Sequence, residues 1–211
     1  MKLRTRIKFC GITRAEDAAV AVSLGVDALG FVFHAPSPRH IEPAAAREII
    51  KGLPAFVSAV GLFVDTPLTS VREIVDQTGL TLVQFHGEES AEYCAAYGGA
   101  YLKAVRVRDE HTVGEAASRY PGAAGLLLDT YHPLLAGGTG QQFDWRLVPR
   151  RCDRPLILAG GLDSTNVGRA IHEVSPFAVD VSGGIEQAKG VKDPAKMRAF
   201  VAEVNRVECE Q

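Results

Sequence analysis

Residues 156–184 read LILAGGLDSTNVGRAIHEVSPFAVDVSGG. Two short apolar runs, Leu156–Ala159 and Ala178–Val181, each lead into a glycine pair, and between them Asn166–Val174 carries apolar residues at helical spacing. Runs without polar alternation are strands covered on both faces, and a strand–helix–strand order of this length joins parallel strands. The same unit recurs toward the N-terminus. Apolar runs at Ile7–Phe9, Ala28–Phe33, Val57–Phe63, Leu82–Phe85, Leu102–Val107 and Gly125–Leu128 bring the strands to eight. Amphipathic stretches at Ala15–Leu24, Ala44–Lys51, Leu68–Gln77, Ala91–Tyr97, Glu110–Tyr120 and Ala195–Val204 supply the remaining helices. Pro43 and Pro67 suit first helical turns, Thr66 and Ser90 suit N-caps, and Gly25, Gly79 and Gly98 suit helix stops. The sixth unit is the weakest: Leu134–Phe143 is glycine-rich, and only Trp145–Val148 predicts a short helix after it.

A faint repeat fixes the count. Cys10-Gly11-Ile12-Thr13 resembles Gly160-Gly161-Leu162-Asp163, and a new strand starts sixteen positions after Gly11 and after Gly161. Six units across that offset of 150 residues average about 25 each, which gives about eight over the chain. The expectation is an α/β fold, a single-domain (β/α)8 TIM barrel over residues 1–211, rather than an open doubly wound sheet.

Composition narrows the function. The chain has 211 residues, 46% hydrophobic and 23% charged, with a net charge of −2, which excludes a wholly disordered chain and argues against a nucleic-acid binder. No apolar run is long enough for a membrane span, and the basic start lacks a signal-peptide core. Cys10, Cys94, Cys152 and Cys209 are far apart, with no metal-ligand spacing, and read as free thiols. A cytoplasmic protein with no metal, no nucleic-acid partner and no membrane partner is expected.

In a (β/α)8 barrel, chemistry sits at the carboxyl ends of the strands. That rule selects Cys10, Arg39, Asp65, His86, Arg106, Asp129, Asp163 and Asp180. Gly160-Gly161 and Ser182-Gly183-Gly184 occupy the loops after strands seven and eight, where this fold commonly grips phosphate through backbone N–H groups. The alternative is simple tight turns, but two such loops together favour a small phosphorylated ligand. Cys10 is either a buried hydrophobe or, with a lowered pKa, a base or nucleophile. Asp129 closes an apolar strand, so either a partner compensates its charge or its pKa rises and it carries a proton. A thiolate facing a protonated acid would fit proton transfer next to a carbonyl or imine. Arg39 is placed for a bidentate contact with a ligand carboxylate or stands as a solvated surface residue. His86, at the end of strand four, is either a site wall or a structural hydrogen-bonder, with the structural reading favoured, and Trp145 reads as packing for the sixth unit.

The same stretches resemble the phosphoribosylanthranilate isomerase family of tryptophan biosynthesis. The resemblance lies in Lys8-Phe9-Cys10-Gly11-Ile12-Thr13, Gly30-Phe31-Val32-Phe33 with Ser37-Pro38-Arg39, and Val83-Gln84-Phe85-His86-Gly87. It continues in Leu127-Leu128-Asp129-Thr130, Gly137-Gly138-Thr139-Gly140 with Phe143-Asp144-Trp145, Ala159-Gly160-Gly161-Leu162, and Ala178-Val179-Asp180-Val181-Ser182. It covers nearly the whole chain in order.

The resemblance implies a (β/α)8 barrel that performs an Amadori rearrangement, aminoaldose to aminoketose, without metal or organic cofactor. The substrate would be N-(5-phospho-β-D-ribosyl)anthranilate and the product 1-(2-carboxyphenylamino)-1-deoxyribulose 5-phosphate. By the same resemblance Cys10 is the general base, Asp129 the general acid, and Arg39 the holder of the anthranilate carboxylate. Gly160, Gly161, Asp180, Ser182 and Gly183 complete the substrate site. A monomer or homodimer is expected. Where the family often reads Ser-Ser-Gly-Val-Glu, this chain has Ser182-Gly183-Gly184-Ile185-Glu186, so a second hydroxyl is lost from the phosphate loop.

Two other readings compete. Indole-glycerol-phosphate synthase chemistry is associated with lysines at strand ends, whereas strand one here ends in Cys10. A non-catalytic phosphosugar binder would need neither Cys10 nor Asp129. The related histidine-pathway substrate is chemically parallel but carries phosphates at both ends, and one phosphate site is evident.

Overall fold

The computed structural model describes residues 4–130 and 144–210. Eight parallel strands close into a barrel in chain order: β1 (Arg6–Cys10), β2 (Ala28–Val32), β3 (Ser58–Phe63), β4 (Leu82–Phe85), β5 (Tyr101–Val107), β6 (Gly125–Thr130), β7 (Leu156–Leu158) and β8 (Ala178–Val181). β8 pairs with β1, with Lys8 opposite Asp180, and β1 pairs with β2, with Cys10 opposite Gly30. Every strand expected from the sequence is present, shifted at its ends by no more than a few residues.

Helices α1 (Ala15–Ser23), α2 (Pro43–Lys51), α3 (Leu68–Thr78), α4 (Ala91–Tyr97), α5 (Thr112–Arg119), α6 (Val167–Val174) and α7 (Pro194–Cys209) connect the strands or close the chain. Their end signals work locally. Pro43 opens α2, Ser90 caps α4 by accepting the Tyr93 N–H, and Gly79 and Gly98 end α3 and α4 in left-handed conformation. Pro67 is the cap position of α3 rather than its first turn, so Thr66 lies one residue outside the cap. Trp145–Leu147 forms a short 3₁₀ turn, with the indole buried. The glycine-rich stretch, including Gly137-Gly138-Thr139-Gly140 and Phe143, lies outside the described residues.

One element has no signature in the sequence. After β8 the chain makes a 3₁₀ turn (Gly183–Ile185) and a small antiparallel hairpin, β9 (Glu186–Ala188) with β10 (Val191–Lys192), before α7. Short strands of mixed polarity give no periodicity to read.

Strand geometry sorts the side chains. Outward-facing Phe9 packs edge-to-face on Phe200 of α7, and Leu126 and Leu128 pack in the layer between barrel and helices. Inside the barrel, Leu102, Leu127, Ile157, Ala159 and Ala178 form a separate apolar cluster contributed by β5–β8 and the end of β7. On the other side, β1 and β4 turn the buried polar side chains of Lys8 and Gln84 into the interior, among apolar Val32, Val60 and Leu62. This asymmetry puts polar chemistry beneath one side of the mouth.

Candidate active site

A cavity of about 530 Å³ opens at the carboxyl ends of the strands, a size that suits a small-molecule ligand. Cys10, Arg39, His86, Asp129, Asp163 and Asp180 line it, together with Gly160, Gly161, Ser182 and Gly183. Residues far apart in the sequence thus meet in one chamber. Two candidates do not. Asp65, after β3, has a left-handed backbone and accepts the Glu88 N–H, so it builds a turn beside the site. Arg106 pairs with Glu88 at 2.6 Å and lies in a neighbouring depression. It stands opposite Asp129 in the β5–β6 register, and its charge favours the carboxylate from there.

Asp129 has the partner that its apolar strand requires. Its Oδ2 lies 3.1 Å from His86 Nε2, and its Oδ1 accepts the Thr130 N–H at 2.8 Å. Burial works against ionisation, but the His86 hydrogen bond, the Thr130 N–H and Arg106 prevail and hold the carboxyl below the usual range. Of the two sequence expectations for Asp129, compensation by a partner is the one the structure adopts. Gln84 Nε2 sits 2.8 Å from His86 Nδ1. With the amide donating, Nδ1 accepts and Nε2 carries the hydrogen directed at Asp129. His86 combines the two readings the sequence left open: it is a wall of the cavity and a hydrogen-bonding anchor for the carboxylate.

Cys10 is buried at the cavity floor. Burial pushes its thiol up from the ordinary value; Lys8 and Lys192 pull it down without overcoming burial, and Asp180 adds to the rise. Lys192 Nζ donates to the Cys10 carbonyl at 2.6 Å and to Glu186 Oε1 at 2.9 Å. Asp180 Oδ1 accepts from Lys8 Nζ at 2.8 Å.

Arg39 is not a solvated surface residue. Its Nε and Nη2 donate to the two oxygens of Glu186, both at 2.8 Å. That bidentate pair raises the guanidinium pKa and lowers that of Glu186, where the Arg39 and Lys192 bonds outweigh burial. The edge that Glu186 leaves unused is the one between Nη1 and Nη2. Sequence reading missed Glu186 and Lys192 because both sit in the unforeseen hairpin.

Gly160 and Gly161 line the cavity with φ of 84° and 65°, a conformation that strains any other residue. Ser182 Oγ donates to the Cys10 carbonyl at 3.0 Å, which ties the phosphate-type loop to the thiol-bearing strand. Asp163 lines the cavity, but its Oδ1 accepts from Thr165 N–H and Oγ, so it serves the loop turn.

Fold and site together define a class: a (β/α)8 barrel whose mouth brings together a carboxylate, a thiol and two glycine-bearing loops. Comparison with known proteins places the chain within that class. It belongs to the N-(5'-phosphoribosyl)anthranilate isomerase family, whose sequence model matches residues 7–203. The isomerase of Pseudomonas aeruginosa strain LESB58 is 55% identical over 196 residues, covering 93% of both chains. The solved isomerase of Thermotoga maritima is 40% identical, with a TM-score of 0.89 over 96% of this chain and 99% of that one. Another solved isomerase, in complex with reduced 1-(o-carboxyphenylamino)-1-deoxyribulose 5-phosphate, is 39% identical, with a TM-score of 0.86 over the same shares. Among the described residues no helix is long and apolar enough to cross a membrane.

Proposed function

We propose that this barrel isomerises N-(5-phospho-β-D-ribosyl)anthranilate in tryptophan biosynthesis with Cys10 as general base and Asp129 as general acid. The reaction is the family's aldose–ketose rearrangement. The observation that carries the assignment of roles is that Cys10 and Asp129, on β1 and β6, open onto one cavity, with the glycine loops after β7 and β8 between them.

Asp129 protonates the furanose ring oxygen; the C1′–O bond breaks and the nitrogen lone pair forms a Schiff base. Cys10, as thiolate, takes the C2′ proton, and the electron pair left behind neutralises the iminium as an enolamine. Tautomerisation by proton return to C1′ gives the ketone. The Gly160-Gly161 and Ser182-Gly183 loops hold the phosphate, chiefly through backbone N–H groups because the Ser182 hydroxyl already serves Cys10. Arg39, braced by Glu186, meets the anthranilate carboxylate through its free edge. Asp180 contributes from below the substrate through its pair with Lys8. Residues 1–211 act as one catalytic domain, acting in the cytoplasm.

The test is loss of phosphoribosylanthranilate fluorescence, run beside the histidine-pathway substrate, with inorganic phosphate as inhibitor. Turnover of the first substrate with competitive inhibition by phosphate is expected. Saturable binding without turnover would make the protein a binding module.

A further inference from the structure

Lys8 lies inside the barrel two residues before Cys10, so both side chains project from the same face of β1. Its side chain is 5% exposed. Burying an ammonium is costly, and a paired charge in a core is often no better than an apolar residue of the same volume. The interior across from it, Leu102, Leu127, Ile157 and Ala178, is filled in that cheaper way. Packing alone does not account for Lys8.

Its location does. A β-carbon added to Gly30, which faces Cys10 in the β1–β2 register, would stand 2.8 Å from Cys10 Sγ and 3.2 Å from Lys8 Nζ. Sulfur and ammonium thus flank one small space, kept open by the absence of a side chain at Gly30. Asp180, opposite Lys8 on β8, holds the ammonium there at 2.8 Å.

We propose that Lys8 is a positioning residue for Cys10: its ammonium, fixed by Asp180 against the sulfur, makes the thiolate form accessible in a buried site. The inference rests on Cys10 being the base. Other charges facing the sulfur act differently. Lys192, from β10, spends its hydrogens on the Cys10 and Ser182 carbonyls and on Glu186; Arg39, from the loop after β2, is held by Glu186; and Asp180 opposes the thiolate. Among the groups that favour the thiolate, Lys8 acts most strongly.

The experiment titrates the Cys10 thiol directly, by the pH dependence of iodoacetamide alkylation read by mass spectrometry on the peptide containing Cys10. The other three thiols then do not interfere. Lys8→Met is expected to raise the midpoint by about one unit or more, slowing alkylation at neutral pH about tenfold. The alkaline limb of kcat/KM should move upward with it while KM stays within a few-fold. Lys8→Met with Asp180→Asn leaves no unpaired buried charge and should raise the midpoint by a smaller amount. A purely structural lysine would lower stability or turnover without moving either midpoint. An unmoved or lowered midpoint in a folded variant overturns the proposal. Failure of both variants to fold overturns it as well, since Lys8 would then be a structural residue. Alkylation needs no turnover, so this result is separate from the loss of activity in Cys10→Ser, which tests the base itself.

Discussion

The two reactive walls of the cavity solve the same problem with opposite results. Cys10 on β1 and Asp129 on β6 are both buried, and burial opposes charge on each. At Asp129, a hydrogen bond from His86 and one from the Thr130 N–H reverse the effect, and the carboxyl lies below its usual range. At Cys10 the charges of Lys8 and Lys192 and a hydrogen bond from Lys8 help but do not overcome burial, and the thiol stays above its ordinary value. Near neutral pH the resting pair is therefore thiol and carboxylate. The proposed mechanism starts from thiolate and carboxylic acid. These two forms hold the same number of protons, so the productive form is a minor tautomer of the resting enzyme, not a different titration state.

The largest expected effects come from removing either wall's reactive group. Cys10→Ser and Asp129→Asn should each lower kcat by about 10²–10⁴-fold, with a smaller change in KM. Their pH profiles sharpen the comparison. In the parent, kcat/KM should be bell-shaped, with the acid limb at the low carboxyl pKa and the alkaline limb at the high thiol pKa. Asp129→Asn needs only the thiolate, so its residual activity should rise through the thiol pKa and then stay level. The alkaline limb disappears and the acid limb jumps upward. If the acid limb stays where the parent has it, the order of the two pKa values is the reverse of that described. Folded variants that turn over within about threefold of the parent would remove both residues from the mechanism.

Arg39 stands on the thiol side of the mouth and should act on binding instead. Arg39→Ala loses a charge-assisted contact worth about 1.5–3 kcal/mol, a rise in KM of roughly 10- to 150-fold with kcat little changed. Glu186→Gln keeps the arginine but loosens its fork, and a smaller rise in KM is expected from the same assay. Equal effects on kcat and KM would place Arg39 in the chemistry of that wall. An unchanged KM in Arg39→Ala would leave its pair with Glu186 as purely structural.

How much of this the sequence discloses follows the same division. The strands are legible because a short, unbroken apolar run between turn residues suits a strand covered on both faces. The carboxyl-end rule then converts the strands into Cys10, Asp129 and Arg39. Residues that tune those three are harder to see. Lys8 sits inside a strand, where its alternation with Ile7 and Phe9 looks like a solvent-facing position. Glu186 and Lys192 belong to a hairpin too short for periodicity. His86 is visible at a strand end but its weight is not, since its target lies 43 positions away on β6. Asp65 and Arg106 satisfy the same rule and still miss the cavity, because a strand end fixes height in the barrel, not which way a side chain leans. Spacing predicts where a residue stands along a strand; its electrostatic partners are set by closure of the barrel.

His86 offers the smallest but most diagnostic effect on activity. His86→Leu removes the hydrogen bond that holds Asp129 ionised, while burial, which opposes ionisation, remains. The carboxyl pKa should rise by about one to two units, and the acid limb of kcat/KM should move up by the same amount. The productive tautomer becomes easier to reach at the same time, because a proton moved onto Asp129 no longer costs the His86 bond. A carboxyl of higher pKa is also a weaker proton donor, which opposes that gain, so kcat/KM on the plateau should stay within about tenfold of the parent. An unmoved acid limb would mean that His86 does not set the state of Asp129. A loss as large as that of Asp129→Asn would mean that the imidazole itself delivers the proton to the ring oxygen, with Asp129 as its orienting partner. The pH profile of this one variant thus decides which of the two hydrogen-bonded groups on the β4–β6 side is the acid.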